Sequence, residues 1–243
     1  ITLTGNDAAI PKRGGLRQFI HEQLQQMPET AGWYHGAIPV GKPVARGSTA
    51  ILCGEPVTRR LLRVGDAALA ADPLSGNGIF AALSLALAAP AVINTILGYP
   101  ERADLAMQFY RDRCRETFLR FARIGRDFYR LEQRWPDQPF WCERRHWPDD
   151  QPLHPETDPA QTRIAERPVL AQDQIIRKNV LITPDQPQGI WQVAGVELAP
   201  VVAALQGISP PSRDGVKAFL LTQQWSQQQR AAVLSWLDQY QCP

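Results

Sequence analysis

Charge of one sign is not in excess: 26 Lys and Arg stand against 24 Asp and Glu, a formal charge of only +2. Basic residues are not massed into one long run, so composition gives no case for nucleic acid. Cysteine is scarce. Cys53, Cys114, Cys142 and Cys242 form no CxxC pair and none has zinc-ligand spacing with a histidine. That usage fits a reducing, cytoplasmic setting without a disulfide framework or bound metal. No stretch reads as long and apolar enough to span a bilayer. The opening run ITLTGNDAAIPKRGG lacks the charged-then-apolar order of a secretory signal. It also does not begin with Met, and the expectation is a sequence that starts inside a larger protein. Internal repeats and low-complexity tracts are absent.

What is present suffices for a real core, since 44% of the 243 residues are hydrophobic. Ile1–Thr4 reads as the end of a strand, and Leu16–Gln26 as a helix with Leu16, Phe19, Ile20 and Leu24 on one face. Gly32–Val44, Ala50–Cys53 and Arg60–Val64 read as strand-like. Gly78–Leu97 is a nearly all-apolar helix, expected in a core and kinked or broken at Pro90. Arg102–Trp135 is a second long helix with a stripe of Leu105, Phe109, Phe118, Phe121, Ile124 and Phe128. Its seven arginines, Arg111 to Arg130, interleave with acids and read as a solvated face.

Residues 135–168 carry many prolines and little periodicity, as a linker or irregular crossing does. Cys142 with His146 makes a weak metal pair there, and packing is the better reading. Beyond it, short strands at Val180–Thr183 and Gly189–Val193 precede helices at Glu197–Leu205, Ser212–Thr222 and Ser226–Tyr240. Ser226 and Gln229 have capping-box spacing. Trp191, Trp225 and Trp236 read as core residues.

The chemistry-bearing stretch is RLLRVGDAALAADPLSGNGIFAA, from Arg60 to Ala82. An apolar strand runs into Gly65 and Asp66. Gly65 permits close backbone approach, and Asp66 is a carboxylate placed to accept hydrogen bonds from sugar-like hydroxyls. Asp72-Pro73 then leads into Gly76, Asn77 and Gly78 at the start of the apolar helix. The first N–H groups of that helix, with the positive end of its dipole, suit an anion or a developing negative charge.

The run GDAAxxxDPLSGNGI resembles the second flavin motif of the group A FAD-dependent monooxygenases and their relatives, the flavin-dependent halogenases and geranylgeranyl reductases. The resemblance implies that Gly65 and Asp66 meet the ribityl chain of FAD, that Pro73 lies beside the isoalloxazine ring, and that Gly76, Asn77 and Gly78 present backbone N–H groups to its pyrimidine edge. Reduced flavin is negative at that edge, so the helix start would stabilise it. Many hydroxylases have His after GDAA; Leu69 stands there, and no role of that His carries over. There is also no GxGxxG after an N-terminal strand. The resemblance therefore implies an N-terminal dinucleotide-binding segment outside this sequence.

The expected fold is α/β (α+β). It is the C-terminal part of a p-hydroxybenzoate-hydroxylase-like FAD/NAD(P)-binding fold, plus a small winged-helix-like C-terminal module. Residues 1–134 would form the flavin-facing and substrate-side part, 135–174 the crossing and 175–243 the module, which could dock a peptide. The layout, with IWQVAGVELAPVVAALQG in the module, is similar to the branch of flavoproteins that hydroxylate a peptidyl tryptophan during maturation of quinohemoprotein amine dehydrogenase. The resemblance implies FAD, NAD(P)H as electron donor and a protein or peptide substrate, with no nucleic acid and no membrane span. It assigns no catalytic base. His35, on the expected substrate-side strand, is a pocket candidate. A halogenase or double-bond reductase shares every residue quoted, and a non-catalytic docking protein derived from a flavoprotein is the reading from another class.

Overall fold

The computed structural model describes residues 10–11, 14–38, 40–155, 161–206 and 213–239. The strand expected at Ile1–Thr4, and Cys242, lie outside them. The order is α1 (Leu16–Gln26), α2 (Pro28–Tyr34), β1 (Ile51–Leu52), β2 (Leu69–Ala70), α3 (Gly78–Gly98), α4 (Ala103–Leu131) and α5 (Pro139–Arg145). There follow β3 (Arg163–Ala171), β4 (Gln174–Thr183), β5 (Gln186–Ile190), β6 (Gln192–Val193), β7 (Val196–Glu197), α6 (Leu198–Gln206), α7 (Arg213–Thr222) and α8 (Gln227–Gln239).

Helix α4 buries much of the expected stripe, Phe118 and Phe121 fully, but its most buried line also runs through residues that the stripe did not include. Tyr110, Cys114, Phe118, Phe121, Gly125 and Tyr129 face inward at steps of three and four. Leu105, Phe109 and Ile124 flank that line half-buried, and Phe128 is exposed. These residues pack on Ala81, Leu85 and Val92 of α3, with Val57, Ala68 and Leu69 from the preceding segment. Burying each such Leu or Val contributes about 1.5–3 kcal/mol.

The structure corrects several expectations. Helix α3 runs unbroken through Pro90. Pro90 and Ala86 both face solvent, so water can take the carbonyl that the missing N–H leaves free. Nor is α3 buried all round: Ile79 is 78% exposed and Leu87 80%, with Phe80, Leu83 and Leu97 on the same open side. Unbroken, its 21 residues are long and apolar enough to cross a bilayer by length and composition, although one face is packed on α4.

No strand forms over the described residues of Gly32–Val44: its start, residues 32–34, belongs to α2, which Pro28 at its first turn and Glu29 favour, and the described residues after Tyr34 are irregular. Arg60–Val64 is reduced to a single bridge, Val57 with Leu62. The Thr58 Oγ1 accepts the N–H of Arg60 and of Leu61, a local turn that competes with strand pairing.

The Pro-rich region contains α5 and runs into β3. Strands β3 and β4 pair antiparallel from Arg163↔Ile182 to Ala171↔Gln174, and β5 adds to β4. The junction expected at residue 175 thus falls inside a hairpin. Ile175 itself sits in the α3–α4 core, where its N–H donates to the Thr95 Oγ1 at 2.8 Å. Gly189 is required opposite β4: its φ is +83° and a Cβ there would meet Val180 Cγ2 at 2.3 Å. A second core forms where α6, α7 and α8 close over Leu181, with Leu205, Leu220, Val233 and Trp236. The Ser226–Gln229 capping box is present in both directions, at 2.9 and 3.2 Å.

The α4 arginines are only in part a solvated face: Arg111, Arg115 and Arg120 are exposed, and the others are drawn into contacts. Arg126 is 2% exposed and donates to the carbonyls of Asp149 and Gln151, while Arg123 makes two bonds to the Asp149 carboxylate. Arg130 reaches Asp150 and the Arg145 carbonyl. These three rivet the crossing segment onto α4.

Candidate flavin site

The two halves of the Gly-Asp to Gly-Asn-Gly run are brought together in space. The β1–β2 pairing, Ile51↔Ala70 and Leu52↔Leu69, places Leu69 in the core and aims the preceding turn outward. Gly65, Asp66 and Ala67 form a 3₁₀ turn, with Gly65 at φ +56°. A Cβ built on Gly65 would lie 3.5 Å from Ala82 Cβ, so this turn rests on the first turns of α3. Asp66 is exposed beside it.

Pro73–Ser75 forms a second 3₁₀ turn. Its cap is Asp72, whose Oδ1 accepts from the Leu74 N–H at 2.8 Å. Gly76 follows at φ +66°, in open space, and a left-handed residue here suits glycine. The Asn77 side chain does not cap α3; its Nδ2 donates to the Ser75 carbonyl instead. The first N–H groups of α3 are therefore left without a side-chain acceptor, and a Cβ on Gly78 would also meet nothing.

This arrangement fits the group the motif implies. An uncapped helix start with glycine clearance can meet the negative edge of a flavin, and an exposed carboxylate on the adjoining turn can accept from ribityl hydroxyls. Gly65, Asp66, Pro73, Gly76, Asn77 and Gly78 thus line one outward-facing strip.

Sequence reasoning missed what stands behind that strip. The Tyr129 hydroxyl donates to Asp72 Oδ2 at 3.1 Å. A Cβ on Gly125 would lie 3.7 Å from Asp72 Cβ, so α4 approaches the turn closely. The available signal was the inward line Cys114, Phe118, Phe121, Gly125, Tyr129. Beneath the first turn, Tyr110 donates to the Arg63 carbonyl at 2.7 Å. Burial pushes the Cys114 thiol up to about 11 and raises the Tyr110 phenol further, so both stay neutral.

The other candidates do not join this site. His35 is exposed at the end of α2. Cys142 donates to the Pro136 carbonyl, and His146 lies 3.4 Å from Asp150. Among the described residues no group of three or more His, Cys, Asp or Glu is placed to hold a metal. A separate cleft of about 400 Å³ opens between the β3–β4 turn and β6–β7, lined by Asp173, Lys178, Trp191 and Glu197 among others. Trp191, expected in the core, packs half-buried against Val169, Val180 and Ile182 and lines the cleft with its other side beneath Lys178, which pairs with Glu197 at 2.6 Å.

No family model matches this chain. Among solved structures it is similar to the peptidyl tryptophan dihydroxylase QhpG, essential for tryptophylquinone cofactor biogenesis, with a TM-score of 0.80 and 44% identity. That likeness covers 97% of this chain and 53% of the other. It is also similar to LodB of Marinomonas mediterranea, whose name describes an FAD-dependent oxidoreductase, at 34% identity over 95 residues. This second match covers 39% of this chain and 24% of LodB. The chain thus spans about half, or less, of the proteins it matches.

Proposed function

We propose, taking as premise that this chain is a relative of the FAD-dependent hydroxylases, that it supplies the flavin-facing part of a monooxygenase acting on a peptidyl tryptophan during maturation of a quinone-cofactor enzyme. The observation that carries the reading is the uncapped start of α3 beside the exposed Asp66, on a motif that resembles the flavin motif of that family. Asp66 would hold the ribityl chain, and Pro73 with Gly76 to Gly78 would flank the ring. When bound, FAD supplies the oxygen-activating chemistry; the protein supplies orientation and exclusion of water. NAD(P)H as electron donor and a cytoplasmic location belong to the same proposal.

The fold is read as part of a p-hydroxybenzoate-hydroxylase-like architecture, completed by an N-terminal dinucleotide-binding segment outside this sequence. The open apolar side of α3 supports this, because rows such as Ile79, Leu83 and Leu87 are suited to being covered by protein. The sheet and helices from β3 onward are proposed as a peptide-docking module, with the Trp191 cleft as its contact surface. That replaces a start at residue 175 with one at Arg163. The winged-helix comparison remains part of the proposal.

The test uses the full-length protein. It should purify with a flavin spectrum, and Asp66→Ala should weaken FAD binding roughly tenfold to a hundredfold, the worth of a charged hydrogen bond. Incubation with the peptide substrate and NAD(P)H should add oxygen to tryptophan. Halogen incorporation, or reduction of a double bond, would favour the sibling chemistries. Absence of flavin would favour a docking protein.

A further inference from the structure

We infer that Tyr129 is a positioning residue for the flavin-edge turn, holding Asp72 from behind and tying it to the aromatic packing of α5. The inference rests on the flavin reading above and concerns residues of this chain alone.

Asp72 is used twice. Its Oδ1 caps the Pro73–Ser75 turn through the Leu74 N–H, and its Oδ2 accepts from Tyr129. Its carbonyl takes the Ser75 N–H and the Ser75 hydroxyl. The residue that shapes the turn is therefore anchored to α4 by one side-chain bond, made by a phenol that is 6% exposed. Burial first, and then the Asp72 carboxylate, push that phenol up to about 12, so it remains a donor across the physiological range.

Tyr129 cannot easily turn away. Its ring stands edge-on to Phe140 at 6.0 Å and to Trp141 at 5.8 Å, and the Arg144 guanidinium lies 5.8 Å from its centroid. Trp141 in turn stacks on Trp135 at 6.1 Å. These partners belong to α5 and its approach, the segment riveted down by Arg126 and Arg130. A line of contact thus runs from the Pro-rich crossing through Tyr129 to Asp72 and the turn at Gly76. The crossing segment acts as a brace for the flavin edge.

Tyr129→Phe keeps the ring and its aromatic neighbours and deletes only the donor. In the full-length protein, amide exchange across residues 72–78 should rise roughly tenfold, while exchange in the α3–α4 core and FAD occupancy stay near wild type. The flavin absorption band and reduction midpoint should shift. Asp72→Asn should act in the same direction and carries the test if Tyr129→Phe folds poorly. A purely structural aromatic role predicts no change in Tyr129→Phe and a large one in Trp141→Ala. Unaltered exchange at 72–78, with an unaltered flavin spectrum, would overturn the inference. If instead Asp66→Ala leaves FAD uptake untouched while exchange at 72–78 still responds to Tyr129→Phe, the flavin reading fails and Tyr129's hold on the turn stands alone.

Discussion

The Thr95 hydroxyl accepts the Ile175 N–H at 2.8 Å and donates to the Ala91 carbonyl at 2.7 Å, wholly out of reach of solvent. One buried hydroxyl thus joins the apolar helix α3 to the central strand of the later sheet. Thr95→Val keeps the shape and strands the Ile175 N–H, which should cost about 1–3 kcal/mol. Chemical denaturation should show a lower midpoint. An unchanged midpoint would mean that the strand finds another acceptor. A chain cut before Ile175 loses this bond and a core side chain together, so such a cut should destabilise the α3–α4 pair as well.

Gly76→Val tests the flavin edge. The residue has φ +66° with nothing near its missing Cβ. The folded chain therefore meets backbone strain of about 1–2 kcal/mol and no internal clash. In the flavin-loaded protein a β-branched side chain should crowd the ring and lower the reduction potential, read by spectroelectrochemistry. A potential equal to that of wild type would place the ring elsewhere.

Acid should loosen the crossing segment. Hydrogen bonds from Arg123 hold the Asp149 carboxyl below its ordinary value. A carboxylate lowered on folding stabilises the fold above its unfolded value, and the benefit is lost as pH falls through the folded one. Asp149→Asn should lose about 1 kcal/mol at neutral pH, discounted for partial exposure. Melting curves of wild type and variant should converge as pH falls below the ordinary carboxylate value, where the depressed carboxyl of the wild type is finally protonated. Parallel curves throughout that range would remove Asp149 as the source.

Trp191→Ala probes the cleft. Trp191 and the Lys178–Glu197 pair line it without touching the Asp66–Gly78 strip. Peptide affinity should fall roughly tenfold, as for an aromatic anchor at an interface, with FAD content unchanged. Titration of a labelled substrate peptide reads this directly. Equal affinity in the variant would shift the docking surface away from the cleft.

Much of the helical frame was legible because periodicity speaks loudly in long segments. Leu16–Gln26 was read to the residue, and α3 and α4 to within a few. The buried line of α4 was legible in Phe118 and Phe121 but not in its small members, Ala106, Cys114, Ala122 and Gly125, which carry little hydrophobic signal, and Phe128, which carries much, is exposed. Strand β3 was hidden by Pro168 and the charges Arg163, Glu166 and Arg167. As an edge strand it can bear both, since one side of its backbone needs no partner. The flavin-motif strip was readable as a motif. Tyr129 was not, because its value depends on Asp72, 57 residues earlier.

The open side of α3 has a consequence for how the protein must be made. A helix with Leu87 four-fifths in water is a poor resident of a ribosome exit or a crowded cell until something lies against it. On the proposed reading, in which a further segment lies against this side, its covering becomes a required step of biogenesis, and the same leucines set a deadline on that assembly. Variants that lighten this side should be more soluble in isolation and slower to mature.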